Sequence, residues 1–133
     1  MENTENQTNM ISYYVGDLCY VLGESSWDSV CSVLEDFVED HLFSLPNGAQ
    51  YVLFLTAYGD GQYNDLEGRP YAVDSGTLGA IAASDCDPER LAYALEFGLG
   101  HVHEFPAALD ATDCSSEDGV LTFGSVVIDT ANV

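Results

Sequence analysis

Two histidines one residue apart, His101 and His103, are the side chains of this sequence best suited to chemistry. On a strand, side chains at positions i and i+2 point to the same face. Two imidazoles on one face hold a divalent metal when a third ligand lies nearby, and the sequence offers Cys86, Asp110 and Cys114. One of these histidines would also be the natural general base. The alternative is a pair of hydrogen-bonded or surface histidines, because His-x-His pairs are common by chance. We expect no cofactor, with a divalent metal as the alternative.

The stretch from Gly59 to Asp65 offers oxygens at alternate positions, as calcium loops do. Counted from Asp60, however, Asp65 stands where an EF-hand needs Gly, and Tyr71 stands where it needs a bidentate Glu. The pattern excludes an EF-hand. It leaves either a looser cation site or a turn in which Gly59 and Gly61 supply positive φ.

Two further turns carry an aspartate, Gly16-Asp17 and Asp74-Ser75-Gly76. An Asp in a turn usually accepts hydrogen bonds from the neighbouring backbone, so a structural role is favoured for both. The second turn lacks the Gly that precedes the serine of a nucleophile elbow. The segment from Gly76 to Gly79 is too short for a phosphate loop and lacks its Lys. No motif therefore reaches the specificity of a catalytic signature.

The charge balance is extreme. The sequence has 23 Asp and Glu residues, no lysine and only two arginines, Arg69 and Arg90, which gives a formal net charge of −21. Phosphate contacts need Lys and Arg, so this composition argues against nucleic acid and anionic membranes as partners. Two explanations stay open. The acids are either an adaptation to concentrated salt, which screens them, or a face for a basic protein partner, as in a mimic of nucleic acid. The acids are spread along the chain, with none in residues 41–50, which favours salt adaptation.

Apolar residues recur at helical spacing from Trp27 to Leu42, which predicts a helix from Ser25 or Ser26 to near Phe43. The C-terminal half of this helix carries four acids, at the end where the helix macrodipole disfavours anions. They also form like-charge i,i+4 pairs. We predict that these acids form the protein-binding surface. They are Glu35, Asp36, Glu39 and Asp40.

The remaining elements are short. The apolar segment 50–58 predicts a central strand covered on both faces, followed by a polar loop to about Pro70. Asp87 as N-cap and Pro88 at the first position predict a second helix that ends at Gly98. We expect a bulge or bend at Gly16-Asp17 and a bulge at Gly124. The other predicted strands are 11–15, 71–73, 77–83 and 101–105, with a C-terminal hairpin whose arms are 111–115 and 120–129. Together these elements predict an α+β fold with one antiparallel or mixed sheet of six to seven strands flanked by two helices.

Length and composition fit one domain, because 133 residues with 47% hydrophobic residues can bury a core. We expect residues 1–10 to be a flexible N-terminus and residues 11–133 to form the domain. The first ten residues lack the apolar stretch of a signal peptide, and no run approaches the roughly 18 apolar residues that span a bilayer. The four cysteines form no CxxC pair and are interpreted as reduced and buried. These features predict a soluble intracellular protein.

Several short motifs occur in a characteristic order. They are Gly16-Asp17-Leu18-Cys19-Tyr20, Thr56-Ala57-Tyr58-Gly59-Asp60-Gly61, Asp74-Ser75-Gly76 and Ile128-Asp129-Thr130. The set resembles a family of small uncharacterised proteins encoded mainly in tailed-phage genomes, with GD-x-CY, AYGDG, DSG and IDT motifs. The resemblance extends over most of the chain from Tyr13, and it departs at Leu18, where the family has Pro, and in its greater acidity. The resemblance implies a viral accessory protein but indicates no mechanism. Together with the net charge of −21, it suggests a tailed virus of a salt-loving archaeon.

Three functions follow as hypotheses. The first is a non-enzymatic accessory protein in the host cytoplasm that binds a host or viral protein with a basic surface and could counter a host defence. The second is a decoration or connector protein of the virion, which predicts an exposed apolar patch or an unpaired edge strand. The third is a small metal-dependent enzyme that uses His101 and His103 with Asp60 or Asp74.

Overall fold

Short strands and two helices alternate along the chain. The structure, a computed structural model, describes residues 10–35 and 42–131. The helices in these ranges are α1 (Glu24–Glu35) and α2 (Pro88–Glu96). The strands are β1 (Ile11–Gly16), β2 (Leu42–Ser44), β3 (Gln50–Leu55), β4 (Gly61–Asn64), β5 (Pro70–Val73), β6 (Thr77–Ala82), β7 (His101–Phe105), β8 (Cys114–Glu117), β9 (Val120–Phe123) and β10 (Val126–Asp129).

Five strands form a central antiparallel sheet in the order β2-β3-β6-β1-β7. The β8-β9-β10 meander and the β4-β5 hairpin form two smaller sheets, and a bridge between Asp65 and Ile128 joins them. The α+β class is confirmed, but the expected single sheet of six to seven strands is wrong. The described strands form sheets of five, three and two strands because the hairpins fold back over the central sheet instead of extending it.

The central sheet separates two hydrophobic cores. On strand β3, Tyr51 and Leu53 face a core shared with α1 and α2, which we call the helix-side core. Val52 and Phe54 face the opposite, hairpin-side core, which the smaller sheets cover. Burying each such side chain contributes about 1.5–3 kcal/mol. The prediction of a strand covered on both faces is confirmed, although it ends at Leu55 and not at residue 58.

Helix α2 forms as its local sequence predicts. Asp87 is the N-cap, and its carboxylate accepts hydrogen bonds from the backbone N–H groups of Glu89 and Arg90. Pro88 occupies the first turn, where its missing N–H needs no partner. The helix ends before Gly98, which has a positive φ of 67°. Each of these signals is local, so the sequence alone is sufficient to place this helix.

Helix α1 is shorter than its apolar pattern predicts. It begins at Glu24, and its described part ends at Glu35. Leu42 and Phe43, expected in the same helix, belong to strand β2, where Phe43 pairs with Tyr51 and their ring centroids lie 5.6 Å apart. Apolar residues at these two positions fit a helix or an edge strand equally well, and pairing with β3 decides between them. Residues 36–41 lie outside the described residues.

Two turns also differ from expectation. The expected polar loop before Pro70 contains strand β4, in which Tyr63 alone is buried, opposite Tyr71 of β5. The expected bulge at Gly124 is a second tight turn, between β9 and β10, with a positive φ of 60°. A side chain there would lie 2.8 Å from the Phe105 ring, so the close approach as well as the turn requires glycine.

Candidate functional site

A buried carboxylate, that of Asp17, joins the end of β1 to the β5-β6 turn. The residue is fully buried, and its Oδ2 accepts hydrogen bonds of 2.7 Å from the backbone N–H groups of Asp74 and Ser75. Its Oδ1 accepts bonds from the Cys19 N–H, at 3.0 Å, and from the Ser75 hydroxyl, at 2.9 Å. Four neutral donors thus satisfy this charge without a cation. The expected bend at Gly16-Asp17 is a short 3-10 helix, Leu18–Tyr20, that Asp17 caps.

The hydroxyl of Ser75 has a structural role. Because it donates to Asp17, the 2.7 Å contact with the Thr77 hydroxyl must be a hydrogen bond that Thr77 donates. The Ser75 oxygen also accepts the Thr77 N–H at 3.2 Å. A hydroxyl offers one donor and two acceptor lone pairs, and all three are used here. This arrangement holds the turn and leaves no lone pair for nucleophilic attack.

The AYGDG turn is hydrogen-bonded to the Asp74-Ser75-Gly76 turn. The backbone N–H of Thr56 donates to the Gly76 carbonyl at 3.0 Å. The Thr56 hydroxyl donates to the Gly59 carbonyl at 2.6 Å, and the Tyr63 hydroxyl donates to that same oxygen at 2.9 Å. Gly59 has a positive φ of 79°, which a turn of this shape requires. The AYGDG and DSG turns are therefore a single hydrogen-bonded unit.

Thr130, the last residue of the IDT motif, follows strand β10 and hydrogen-bonds this unit to the β8-β9 turn. Its hydroxyl accepts the Ala57 N–H at 3.0 Å and donates to the Gly119 carbonyl at 2.5 Å. Its N–H donates to the same carbonyl at 2.8 Å. Gly119 has a φ of 83°, and a side chain there would lie 3.0 Å from the Ala57 methyl group. The β8-β9 turn is thus held against the AYGDG turn.

Motifs that are far apart in the sequence therefore meet in one region, which we call the turn junction. It consists of residues 16–19, 56–61, 74–77, 119 and 130. It contains every turn residue that the sequence singled out, namely Gly16, Asp17, Gly59, Asp60, Gly61, Asp74 and Gly76. Its interior is buried, whereas Asp60 and Asp74 are exposed. Tyr58 is 65% exposed, and Leu55, at the end of β3, is 53% exposed.

The residues considered for a cation site, 59–65, divide between an exposed strand face and a buried network, and the site itself stays a prediction. Gln62 and Asn64, at alternate positions of strand β4, lie on one exposed face. Asp60 is exposed, and Asp65 is buried in a different network.

His101 and His103 do lie on one face of β7, as predicted, and they face the hairpin layer. His101 Nε2 lies 2.8 Å from the Pro70 carbonyl oxygen, which can only accept, so this nitrogen carries a proton. His103 Nε2 lies 2.9 Å from the Tyr71 hydroxyl. Because that hydroxyl donates to Asp65 Oδ2 at 2.7 Å, His103 Nε2 must also be a donor. Neither Nε2 lone pair is available to a metal in this arrangement.

The residues around His103 form what we call the Asp65 network: Asp65, Arg69, Tyr71 and His103. The Asp65 side chain is 1% exposed, and its Oδ2 also accepts the Arg69 Nε–H at 2.9 Å. Its Oδ1 accepts the backbone N–H groups of Glu67 and Arg69, each at 2.9 Å. The sequence did not single out this network. The available signal was Arg69, one of two cations in the chain, four residues after an acid.

Burial and hydrogen bonding set the protonation of the Asp65 network. Burial raises the pKa of Asp65, but hydrogen bonds from Tyr71 and from the Arg69 and Glu67 N–H groups outweigh it, so the pKa is lowered. Burial, with the nearby Arg69 charge, lowers the pKa of His103. Burial and the bond to Asp65 raise the pKa of Tyr71. The network therefore favours ionised Asp65 beside neutral His103.

The third metal ligands considered from the sequence lie elsewhere. Cys86 belongs to the helix-side core, across the sheet from the histidines. Asp110 accepts bonds from the N–H groups of Thr112 and Asp113 and caps the 3-10 helix Ala111–Asp113. Cys114 is buried in the hairpin-side core. Within residues 10–35 and 42–131, no three His, Cys, Asp or Glu side chains are grouped so that they could hold a metal ion.

The acidic binding surface predicted on the first helix is only partly within the described residues. Glu35 is the last described residue of α1, whereas Asp36, Glu39 and Asp40 lie outside them. That surface therefore stays a prediction.

Comparisons with known proteins identified no protein related to this chain. No family model, no curated protein and no solved structure matches the chain. Neither described helix is long and apolar enough to cross a membrane.

Proposed function

We propose that the protein is a virus-encoded, non-enzymatic accessory protein that binds a host or viral protein through the turn junction. The observation that carries this proposal is Tyr58, which is 65% exposed on a turn whose neighbouring backbone is held by partly buried hydrogen bonds. At this exposure, most of a large aromatic side chain is left in water on a well-held turn. Tyrosine is among the residues that contribute most energy at interfaces.

The turn junction is suited to binding because it is held in shape before a partner arrives. The residues on both sides of Tyr58 are fixed: the Ala57 N–H donates to Thr130, and the Gly59 carbonyl accepts from Thr56 and Tyr63. Ordering a flexible loop on binding reduces affinity, and a preformed turn avoids that loss. Only the Tyr58 side chain has to be immobilised.

The chemistry of the partner follows from what surrounds Tyr58. The exposed side chains of Asp60 and Asp74 lie in the same junction, on a chain of net charge −21. A matching surface has a pocket for the tyrosine ring, with Lys or Arg beside it. Charge of opposite sign accelerates association and selects against acidic partners. In concentrated salt this attraction is screened, so the apolar contact of Tyr58 contributes most of the affinity.

The viral origin and the adaptation to salt are supported by the sequence. The motifs that resemble tailed-phage proteins are the ones that build the turn junction. The absence of lysine and the dispersed acids support folding in brine, within the host cytoplasm.

Quantitative affinity capture from infected-cell lysate tests the proposal. The wild-type chain is compared with Tyr58→Ser and with Leu66→Ser. Leu66, which lies outside the junction, has at 74% the most exposed large apolar side chain among the described residues. We expect at least one basic protein to be captured by the wild type and the Leu66 variant and lost with the Tyr58 variant. An identical set of captured proteins for all three chains would contradict the proposal.

A second candidate function is a decoration or connector protein of the virion. Strand β7 lies at the edge of the central sheet, and its Val102 is 37% exposed. An edge strand can pair with a neighbouring subunit. Mass spectrometry of purified particles tests this candidate, because a structural component is present in many copies per particle and an accessory protein is nearly absent.

A further inference from the structure

A cavity of about 230 Å³ opens between the end of strand β7, the loop that follows it and the β9-β10 turn. We call it the β7 pocket, and the residues that define it are Glu104, Phe105, Pro106, Ala107, Leu109 and Asp113. Phe105 pairs with Ile11, the first residue of β1, whereas Gly16 at the other end of β1 belongs to the turn junction. The β7 pocket therefore lies a strand length, roughly 17 Å, from the turn junction and is separate from it.

Hydrogen bonds hold the walls of the β7 pocket in place. The Leu109 N–H donates to the Tyr13 hydroxyl at 3.1 Å in the protein interior. The Gly124 N–H, in the β9-β10 turn, donates to the Asp113 carbonyl at 2.9 Å. Gly124 itself lines the pocket, and a side chain there would lie 2.8 Å from the Phe105 ring. These walls are in place before a ligand arrives, which reduces the cost of binding.

The size and the apolar lining of the β7 pocket limit its ligand. Sites for small molecules and cofactors usually measure about 300–1,000 Å³, so a cavity of about 230 Å³ is better suited to a single side chain. Phe105 and Leu109 are buried and form an apolar floor. Pro106 and Ala107, which are exposed, add apolar surface beside it. The ligand therefore has an apolar stem.

Two carboxylates border the β7 pocket. Glu104 and Asp113 are exposed, and none of the described residues that line the cavity is Lys, Arg or His. Glu104 Oε2 accepts a hydrogen bond of 3.4 Å from the Ser12 hydroxyl. Asp113 Oδ2 accepts one of 3.1 Å from the Asp110 N–H. A carboxylate offers about four acceptor positions, so each retains the capacity to accept a hydrogen bond from a cation.

We propose that the β7 pocket binds a lysine side chain of a partner protein. Lysine buries its aliphatic stem along apolar surface while its ammonium stays at the edge of that surface. The stem lies on Phe105 and Leu109, and the ammonium contacts the two carboxylates. Because Glu104 and Asp113 belong to different elements, an ammonium with three rotatable donors suits them better than the planar fork of arginine. The chain contains no lysine, so the ligand belongs to another molecule.

A nuclear magnetic resonance titration tests the pocket with two blocked tripeptides, Gly-Lys-Gly and the same peptide with norleucine in place of lysine. Norleucine keeps an aliphatic stem but has no charge. We expect the lysine peptide to cause saturable shifts at the amides of Phe105, Leu109 and Gly124, and the norleucine peptide to bind about fivefold more weakly. Shifts scattered over the surface without saturation at these amides overturn the proposal, as does equal affinity for the two peptides.

A pair of charge variants separates local contacts from the general acidity of the chain. Glu104→Gln with Asp113→Asn weakens binding of the lysine peptide by about fivefold, because both contacts of the ammonium lose their charge. Glu96→Gln with Glu117→Gln removes the same charge from exposed positions that do not line the pocket. We expect this control to change the affinity by less than about twofold, because salt screens distant charges. Equal effects of the two double variants overturn the proposal.

Filling the cavity is a test that leaves its charge unchanged. Ala107 is exposed, so Ala107→Trp covers the pocket without disturbing the core and abolishes binding of the lysine peptide. The amide spectrum of the variant confirms that it is folded. An affinity unchanged by Ala107→Trp overturns the proposal. Tyr58→Ser binds the lysine peptide as the wild type does, so failure of this inference is distinguishable from failure of the proposed function.

Discussion

Asp17 and Asp65 are the two buried carboxylates among the described residues, and their surroundings differ. Asp17 accepts four hydrogen bonds from backbone N–H groups and a hydroxyl, without a cation. Asp65 shares its charge with Arg69, a tyrosine and, through that tyrosine, a histidine. The difference indicates that the turn junction is held by short-range hydrogen bonds. The Asp65 network depends in addition on groups that respond to pH and to salt.

The largest effect is expected from Asp17→Ala. This change leaves the N–H groups of Cys19, Asp74 and Ser75 without their acceptor. Unsatisfied buried donors cost about 1–3 kcal/mol each, and partial access of water reduces the total, so the free energy of unfolding decreases by about 3–4 kcal/mol. Urea denaturation at constant high salt measures it. Asp74→Ala, which removes an exposed carboxylate but keeps the N–H, is the control and changes stability by less than about 0.5 kcal/mol.

A smaller effect is expected from Asp65→Asn. The amide retains one oxygen that can accept, and Arg69, whose side chain is 42% exposed, can turn to water. Placed at the Oδ1 position, that oxygen keeps the two backbone N–H groups paired. We expect a loss of about 2–3 kcal/mol, most of it from the Tyr71 hydroxyl, which then faces the amide nitrogen. The exposed Glu67→Gln is the matched control. If Asp65→Asn destabilises the protein more than Asp17→Ala does, our ranking of the two sites is wrong.

The Asp65 network also predicts a pH dependence. The folded-state pKa of His103 lies below its ordinary value of 6.5, so the unfolded chain binds the proton more readily. Stability therefore decreases as pH falls from 6.5 through the folded-state pKa of His103. The pKa of Asp65 lies below its ordinary value of 3.8, so the folded protein loses stability a second time as the pH falls further and Asp65 is protonated. Unfolding free energies of the wild type and His103→Gln across this range measure the first loss. Equal slopes for the two proteins between about pH 7 and 5 would show that His103 has no such effect.

The smallest effect is expected from Arg69→Gln. Because the arginine side chain is 42% exposed, its pairing with Asp65 is worth about 0.5–1 kcal/mol at low salt. This contribution decreases as salt is added. A double-mutant cycle with Asp65→Asn isolates the coupling between the two side chains. A coupling that stays constant from dilute to molar salt would contradict this description of the pair.

The sequence predicts elements whose signals are local and misses those set by distant contacts. Helix α2 is bounded by Asp87, Pro88 and Gly98, all within or beside it, and the α+β class follows from such elements. Strand β2 is missed because its apolar residues continue the spacing of α1, and only β3 shows that they pair as a strand.

The candidate site follows the same rule. The sequence identified the motifs of the turn junction but not that they meet, because Asp17 binds Asp74, 57 residues away, and Ala57 binds Thr130, 73 residues away. No local pattern encodes such contacts. By contrast, the Asp65–Arg69 pair lies within four residues and was available to sequence analysis.

Amide hydrogen exchange tests most directly the central claim that the turn junction is a preformed, rigid platform for Tyr58. We expect the amides of Ala57, Asp74 and Ser75 to exchange nearly as slowly as that of Leu53 in the central strand, although all three lie outside regular strands. The exposed loop residues Ala107 and Ala108 provide the fast reference. Exchange of the three junction amides at the rate of that loop would contradict the claim.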